Sequence, residues 1–118
     1  MATILIVEDE GVIALDLECL CIEAGWSVAG PFSKRTQALA WLEQNAPDAA
    51  ILDTGLADGS CAEIARLLEE RGVPWVIFSG SASDHAPDMP RGTVWIEKPA
   101  TDDVIRDALS SLLKADKS

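Results

Sequence analysis

Short apolar runs alternate along this chain with segments in which apolar residues recur at helical spacing. The apolar runs over residues 3–8, 27–29, 48–53, 74–79 and 93–97 are typical of buried strands. Segments at helical spacing follow the first, second, third and fifth of these runs. Continuous apolar strands that alternate with amphipathic helices form a parallel sheet that is covered on both faces. The pattern therefore predicts an α/β fold.

Capping and turn residues mark where these helices are predicted to begin and end. Ser33 is predicted to cap the second helix, and Thr101 the last one. Ser60 and Glu63 form an S-x-x-E pair, which is typical of a capping box at the start of the third helix. Gly25 is predicted to end the first helix, because glycine readily adopts the left-handed conformation that follows a helix.

The connection over residues 80–92 breaks this alternation. It contains Pro87 and Pro90 among aspartate and serine residues, and proline removes a backbone donor from a helix interior. We therefore predict a shortened or irregular fourth helix there, with low hydrogen-exchange protection.

Length and charge restrict the kind of protein. The 118 residues suffice for one domain with a single core. The net charge of −11 argues against nucleic acid as a partner, because the phosphates would repel the surface. No apolar stretch approaches the ~20 residues that span a bilayer, and no signal peptide is evident. We therefore expect a cytoplasmic protein that does not associate with a membrane.

The cysteines and the single histidine indicate neither a disulfide nor a zinc site. Cys19 and Cys21 are two residues apart on a predicted helix and point to different faces, so reduced thiols that are buried or half-buried are predicted. His85 alone cannot support a multi-histidine zinc site.

Charged and polar side chains stand where four of the predicted strands end. Glu8 and Asp9 follow I-L-I-V, and Asp53 follows A-A-I-L. Ser79 ends W-V-I-F-S, and Lys98 follows V-W-I-E. The carboxyl ends of parallel strands meet at one edge of a sheet, where open α/β folds bind ligands. We therefore predict one site that contains all five side chains.

The three carboxylates of this predicted site need a neutralising cation. Like charges at short range raise one another's pKa unless a cation offsets them. Mg²⁺ suits the site because it takes oxygen ligands and keeps waters that a phosphate can displace. A carboxylate nucleophile beside a metal ion, a lysine and a hydroxyl is the arrangement that an aspartyl phosphate requires.

Four motifs of this sequence resemble, in order, those of the receiver domain of bacterial response regulators, the CheY-like superfamily. They are I-L-I-V-E-D-E, I-L-D-T-G-L-A-D-G, V-I-F-S-G and W-I-E-K-P, and the match extends from Thr3 to about Leu113. The resemblance implies one receiver domain over residues 1–118, with a flavodoxin-like, doubly wound sheet of five parallel strands in the order 2-1-3-4-5. The E-D-E start and A-G-W-S-V-A-G-P also resemble an atypical alphaproteobacterial subgroup of stand-alone receivers.

This resemblance implies a role for each matched residue. Asp53 matches the phosphoacceptor, which takes a phosphoryl group from the phosphohistidine of a kinase. Lys98 matches the lysine that pairs with this phosphoryl group. Ser79 and Trp95 match the two residues that change conformation in response to it. The matched Mg²⁺ ligands are Glu8, Asp9, Asp53 and the backbone carbonyl of Gly55.

Three positions depart from the family's pattern. Ala57 stands where a proline is usual, and Ala100 where many relatives carry an aromatic residue. Trp95 replaces the usual tyrosine or phenylalanine. Because tryptophan is larger, we expect it to hinder the inward swing of the side chain at this position.

The implied function is that of a phosphoacceptor in two-component signal transduction. We expect a sensor histidine kinase or a phosphotransfer protein as donor, a separate protein as target, and a monomer or weak dimer. Catalysis is expected only for the chain's own phosphotransfer and autodephosphorylation, so it is not predicted to be an enzyme. The alternative is a degenerate receiver, an interaction module without phosphate chemistry. A phosphatase with an aspartyl nucleophile is disfavoured, because the first strand ends in E-D-E rather than D-x-D.

Overall fold

The computed structural model describes residues 1–80 and 93–115. Its strands are β1 (Thr3–Val7), β2 (Ser27–Phe32), β3 (Ala49–Leu52), β4 (Gly55–Leu56), β5 (Gly59–Ser60), β6 (Trp75–Ser79) and β7 (Val94–Glu97). β4 and β5 form a separate antiparallel pair, and the other five strands form a parallel sheet in the order β2-β1-β3-β6-β7. The predicted order 2-1-3-4-5 is confirmed, because β6 and β7 are the fourth and fifth strands of this sheet.

The helices of the described residues are α1 (Gly11–Glu23), α2 (Arg35–Leu42), α3 (Ala62–Glu70) and α4 (Asp102–Ala115). Alternate residues of β1 separate two cores: Leu5 and Val7 pack with α2 and α3, whereas Ile4 and Ile6 pack with α1 and α4. All four side chains are fully buried, and each such burial contributes roughly 1.5–3 kcal/mol. The doubly wound arrangement explains why the strand is apolar without alternation.

The helix ends agree with the sequence prediction at two positions. Gly25 follows α1 with a φ of +88°, a conformation that favours glycine. The Thr101 hydroxyl accepts a hydrogen bond from the backbone N–H of Val104 at 3.4 Å, at the start of α4. The predictions for the fourth helix and its hydrogen exchange, like that for His85, fall on residues 81–92 and lie outside the described residues.

The prediction that Ser33 caps the second helix is wrong. α2 begins at Arg35, and the Asp58 carboxylate accepts hydrogen bonds from the backbone N–H groups of Arg35 (2.5 Å) and Thr36 (3.1 Å). These bonds lower the pKa of Asp58, although its burial acts in the opposite direction. A residue that is distant in sequence therefore replaces the local cap.

The predicted capping box of the third helix is also wrong. The Ser60 hydroxyl does accept a hydrogen bond from the backbone N–H of Ala62 at 3.1 Å. The Glu63 carboxylate instead pairs with the Arg35 guanidinium at the start of α2. This pair is partly exposed, so it ties α2 to α3 with a small contribution of about 0–1 kcal/mol.

Two of the three cysteines follow the prediction of buried or half-buried thiols, and for Cys19 it is wrong because this position lies on the solvent-facing side of α1. Cys21 and Cys61 are buried, Cys19 is exposed, and all three are free thiols. Burial raises the pKa of the Cys21 thiol to about 11, so it is protonated at neutral pH. None of the helices within residues 1–80 and 93–115 has the length and apolar character needed to cross a membrane.

Candidate functional site

The register of the sheet aligns the carboxyl ends of β1, β3 and β6. Leu52 of β3 pairs with Val7 of β1 on one side and with Ile77 of β6 on the other. A further backbone bond, from Asp53 N–H to the Val7 carbonyl at 2.9 Å, extends the pairing beyond the end of β3. The Asp53 side chain is thereby fixed at the edge of the sheet beside the residues that follow β1.

The last two strands of the sheet bring Ser79 and Lys98 to the same edge. Ser79 at the end of β6 pairs with Glu97 at the end of β7. The Lys98 N–H then donates a hydrogen bond to the Ser79 carbonyl at 2.8 Å. The peptide bond between Lys98 and Pro99 is cis. The backbones of Ser79 and Lys98, which the sequence places after separate strands, are therefore adjacent at this edge.

Three carboxylates form the centre of this edge. Glu8, Asp9 and Asp53 each offer an oxygen, and these oxygens all lie within 4.8 Å of one another. Glu8 and Asp53 are buried, with 2% and 7% of their surface exposed, whereas Asp9 is exposed. Two buried acids this close are costly unless a cation offsets their charge.

Lys98 supplies part of that charge. Its Nζ lies 2.9 Å from Glu8 Oε1 and 3.7 Å from Asp53 Oδ1, and its side chain is only 11% exposed. Glu10 Oε1 lies 3.8 Å from the same nitrogen. The ammonium also sits 5.4 Å from the centre of the Phe78 ring. Lys98 therefore lies against the acidic cluster rather than in solvent.

The surroundings raise the pKa of the Asp53 carboxyl to about 7 from its usual value of 3.8. Burial is the largest cause, followed by the negative charge of Glu8 and by hydrogen bonds to Glu8 and Asp9. Lys98 opposes this rise without cancelling it. In the metal-free protein, the single positive charge of Lys98 therefore does not fully neutralise the acidic cluster.

The donor set fits a divalent cation. Glu8 Oε1 is buried and lies 2.9 Å from the Lys98 ammonium, which offsets part of its charge. A buried carboxylate oxygen whose charge is only partly offset is suited to bind a metal ion directly or through water. With the oxygens of Asp9 and Asp53 in reach, the three acids match the oxygen ligands that Mg²⁺ prefers.

One contact of the site was not predicted from the sequence. Thr54 Oγ1 lies 2.9 Å from Ser79 Oγ in a hydrogen bond that either hydroxyl can donate. Thr54 follows Asp53 directly, and the pairing of Leu52 with Ile77 puts it level with Ser79. Only the strand pairing reveals this contact, because the two residues are 25 positions apart.

Two of the matched residues lie at the margins of the site. Trp95 of β7 is half-buried and packs against the core that contains Leu52 and Ile77. Gly55 is exposed and begins β4, two residues after Asp53. Their roles, as a switch residue and as a carbonyl ligand to a metal ion, stay predictions.

Comparison with solved structures gives close matches over nearly the whole chain. A response regulator receiver protein from Sinorhizobium medicae is 28% identical, with a TM-score of 0.88 over 98% of this chain and 96% of that chain. The REC domain of the response regulator PhyR from Erythrobacter litoralis is 27% identical, with a TM-score of 0.83 over 95% and 89%. A CheY-like receiver domain protein from Methanospirillum hungatei, 20% identical with a TM-score of 0.86 over 99% and 97%, shows the fold alone. No protein-family model and no curated protein sequence matches the chain.

These neighbours include a response regulator receiver protein and the REC domain of a PhyR response regulator. Such neighbours support a role in two-component signalling. The resemblance to receiver domains, predicted from the four sequence motifs, is therefore confirmed: the chain has the fold of a CheY-like response regulator receiver domain.

Proposed function

We propose that the chain is a phosphoacceptor switch of a two-component system and that Asp53 is the residue phosphorylated. The observation that carries this proposal is the position of Asp53, buried between Glu8, Asp9 and the Lys98 ammonium at 3.7 Å. A carboxylate held beside a cation and an oxygen-ligand cluster is suited to attack a phosphoryl group. The convergence of all these groups does not favour the alternative of a degenerate interaction module.

The proposed reaction is an in-line transfer to an Asp53 carboxylate oxygen. As the new O–P bond forms, the N–P bond of the donor phosphohistidine breaks, and its electron pair stays on the imidazole nitrogen. The Lys98 ammonium stabilises the negative charge on the phosphoryl oxygens, and the Ser79 hydroxyl donates a hydrogen bond to one of them. The chain thus assists its own phosphorylation and acts on no other substrate.

Glu8, Asp9 and Asp53 would hold Mg²⁺ in this reaction, with the Gly55 carbonyl as a further ligand. A bound ion would supply positive charge to the transferring phosphoryl oxygens. Glu8 and Asp9, which follow β1, would keep the metal beside Asp53. Lys98, which follows β7, lies on the other side of Asp53 in the order of the sheet. After transfer, Ser79 and Trp95 are the proposed residues through which the phosphoryl group changes the surface.

The exposed face of α1 supports a protein partner. Val12, Leu15 and Ile22 are 77%, 58% and 58% exposed. Together with the exposed Cys19, they follow one another at intervals of three, four and three residues, which is typical of a contact face between two helices. Because the exposed acid Asp16 lies beside this stripe, a partner helix with lysine or arginine at its flanks would complement it.

The test of the proposed function is intact mass spectrometry after incubation with acetyl phosphate and Mg²⁺. We expect the wild type to gain one phosphoryl group and Asp53→Asn to gain none, because the amide is a poor nucleophile. Asp107→Asn, which removes one exposed acid of α4, is the matched control and should be phosphorylated like the wild type. Phosphorylation of Asp53→Asn would overturn the assignment of the residue.

Asp9→Ala is expected to weaken Mg²⁺ binding at least about tenfold, because it removes one of three carboxylate ligands from the cluster. The affinity is measured from the change in tryptophan fluorescence on Mg²⁺ titration. Glu23→Ala carries the same charge change at the far end of α1 and should leave the affinity within about twofold. Equal affinities for the two variants would refute the ligand role of Asp9.

A further inference from the structure

The contact between Thr54 and Ser79 connects the residue after the proposed phosphoacceptor to the proposed switch hydroxyl. The 2.9 Å distance between the two hydroxyl oxygens is that of a good hydrogen bond. Ser79 is buried, with 5% of its surface exposed, and Thr54 is half-buried, so the bond is partly shielded from water. A hydrogen bond in such surroundings is stronger than one in solvent.

The sheet holds both residues in place. Leu52 pairs with Ile77, and two residues further on Thr54 stands level with Ser79. The Ser79 backbone is fixed as well, because its carbonyl accepts the N–H of Lys98 at 2.8 Å. The hydroxyl contact therefore follows from the backbone of two adjacent strands, and it does not require a long flexible side chain to be ordered.

The direction of this bond decides what Ser79 can do. A hydroxyl has one proton to donate and can accept two hydrogen bonds. If Thr54 donates to Ser79 Oγ, the Ser79 proton can be directed to a phosphoryl oxygen on Asp53. A chain of two such bonds polarises both hydroxyls and strengthens the one that reaches the anion.

We propose that Thr54 is a positioning residue for phosphoryl transfer, whose hydroxyl donates to Ser79 and aims the Ser79 proton at the phosphoryl oxygen. This inference rests on the proposed function, since it requires a phosphoryl group on Asp53. Thr54 acts through Ser79 and need not touch the phosphoryl group itself.

Four variants test the proposal in a double-mutant cycle: Thr54→Val, Ser79→Ala, the pair combined, and Thr54→Ser. Valine keeps the shape of threonine without its hydroxyl, and serine keeps the hydroxyl. The rate of phosphoryl uptake from acetyl phosphate with Mg²⁺ is followed by intact mass. Thr3→Val removes a hydroxyl at the opposite end of the sheet, on β1, and should leave the rate unchanged.

We expect Thr54→Val to slow uptake about three- to tenfold in the wild-type background and to have no effect once Ser79 is alanine. Thr54→Ser should restore at least half of the wild-type rate. Circular dichroism melting of each variant separates a loss of fold from a loss of rate.

The outcomes distinguish this inference from the proposed function. A wild type that accepts neither a phosphoryl group from acetyl phosphate nor its mimic beryllofluoride would overturn both. A phosphorylated wild type together with an unimpaired Thr54→Val overturns the inference alone. An equal slowing by Thr54→Val with and without the Ser79 hydroxyl would also overturn it, because Thr54 would then act independently of Ser79.

Discussion

Asp53→Asn is expected to stabilise the metal-free protein, and the gain should grow by about 1–2 kcal/mol between pH 5 and pH 8. The folded state raises the pKa of Asp53 to about 7 from 3.8, chiefly by burial and secondly through Glu8. At pH values between 3.8 and about 7, the Asp53 carboxyl is ionised in the unfolded chain, whereas it keeps its proton in the folded protein. The free energy of unfolding of the wild type therefore falls as pH rises towards 7 and then levels off, whereas asparagine does not titrate.

The size of this effect is smaller than the pKa change alone would give. Two pH units below a pKa of about 7 correspond to at most about 3 kcal/mol, and local relaxation and water penetration reduce the cost of a buried charge further. The measurement is urea unfolding with a chelator present, followed by tryptophan fluorescence at both pH values. Asp107→Asn, at an exposed position of α4, is the control and should show no growing gain.

Mg²⁺ should reduce the advantage of Asp53→Asn. The ion neutralises the ionised cluster in the wild type and stabilises the folded state by mass action. The prediction would be contradicted if the stability gain of Asp53→Asn were the same at pH 5 and pH 8. It would also be contradicted if Mg²⁺ left this gain unchanged.

Lys98→Met is expected to lower the free energy of unfolding of the metal-free protein by about 3–5 kcal/mol at pH 8. The ammonium is 2.9 Å from Glu8 Oε1 and 3.7 Å from Asp53 Oδ1, and Glu8 is 2% exposed. Methionine has a similar length but no charge, so the buried Glu8 carboxylate would lose its closest cation. Removing one partner of a buried pair leaves the desolvation cost of the other without compensation.

A second substitution separates loss of charge from loss of packing. Glu8→Gln combined with Lys98→Met removes both charges, so it should recover at least half of the lost stability. Lys34→Met, at an exposed position just before α2, is the matched control and should change the stability by less than about 0.5 kcal/mol. If Glu8→Gln recovered nothing in the Lys98→Met background, the charge-pair explanation would fail.

Several features of the fold follow from local sequence. Continuous apolar runs predicted β1, β3 and β6, since a strand between two helical layers has no polar face. The end of α1 before Gly25 and the Thr101 cap also depend only on neighbouring residues, and both are present. The motifs after the strands likewise predicted the gathering of Glu8, Asp9, Asp53, Ser79 and Lys98 at one edge.

Interactions between residues distant in sequence were not predictable in the same way. Asp58 caps α2 in place of Ser33, and Arg35 takes Glu63 away from the predicted capping box. A local motif indicates which capping residue is close in sequence to the start of a helix. It does not indicate which distant residue the folded chain brings to the same position.

The sequence by itself determined the α/β fold, the five-strand order through its motifs, and the identity of the acids, the hydroxyl and the ammonium at the carboxyl edge. Only the tertiary structure decided their energetic state. Burial of Glu8, the raised pKa of Asp53 and the bond between Thr54 and Ser79 all depend on strand pairing and on exclusion of water. The sequence gives the chemical type of each side chain, whereas the desolvation of these groups and the distances between them depend on how separate strands pair.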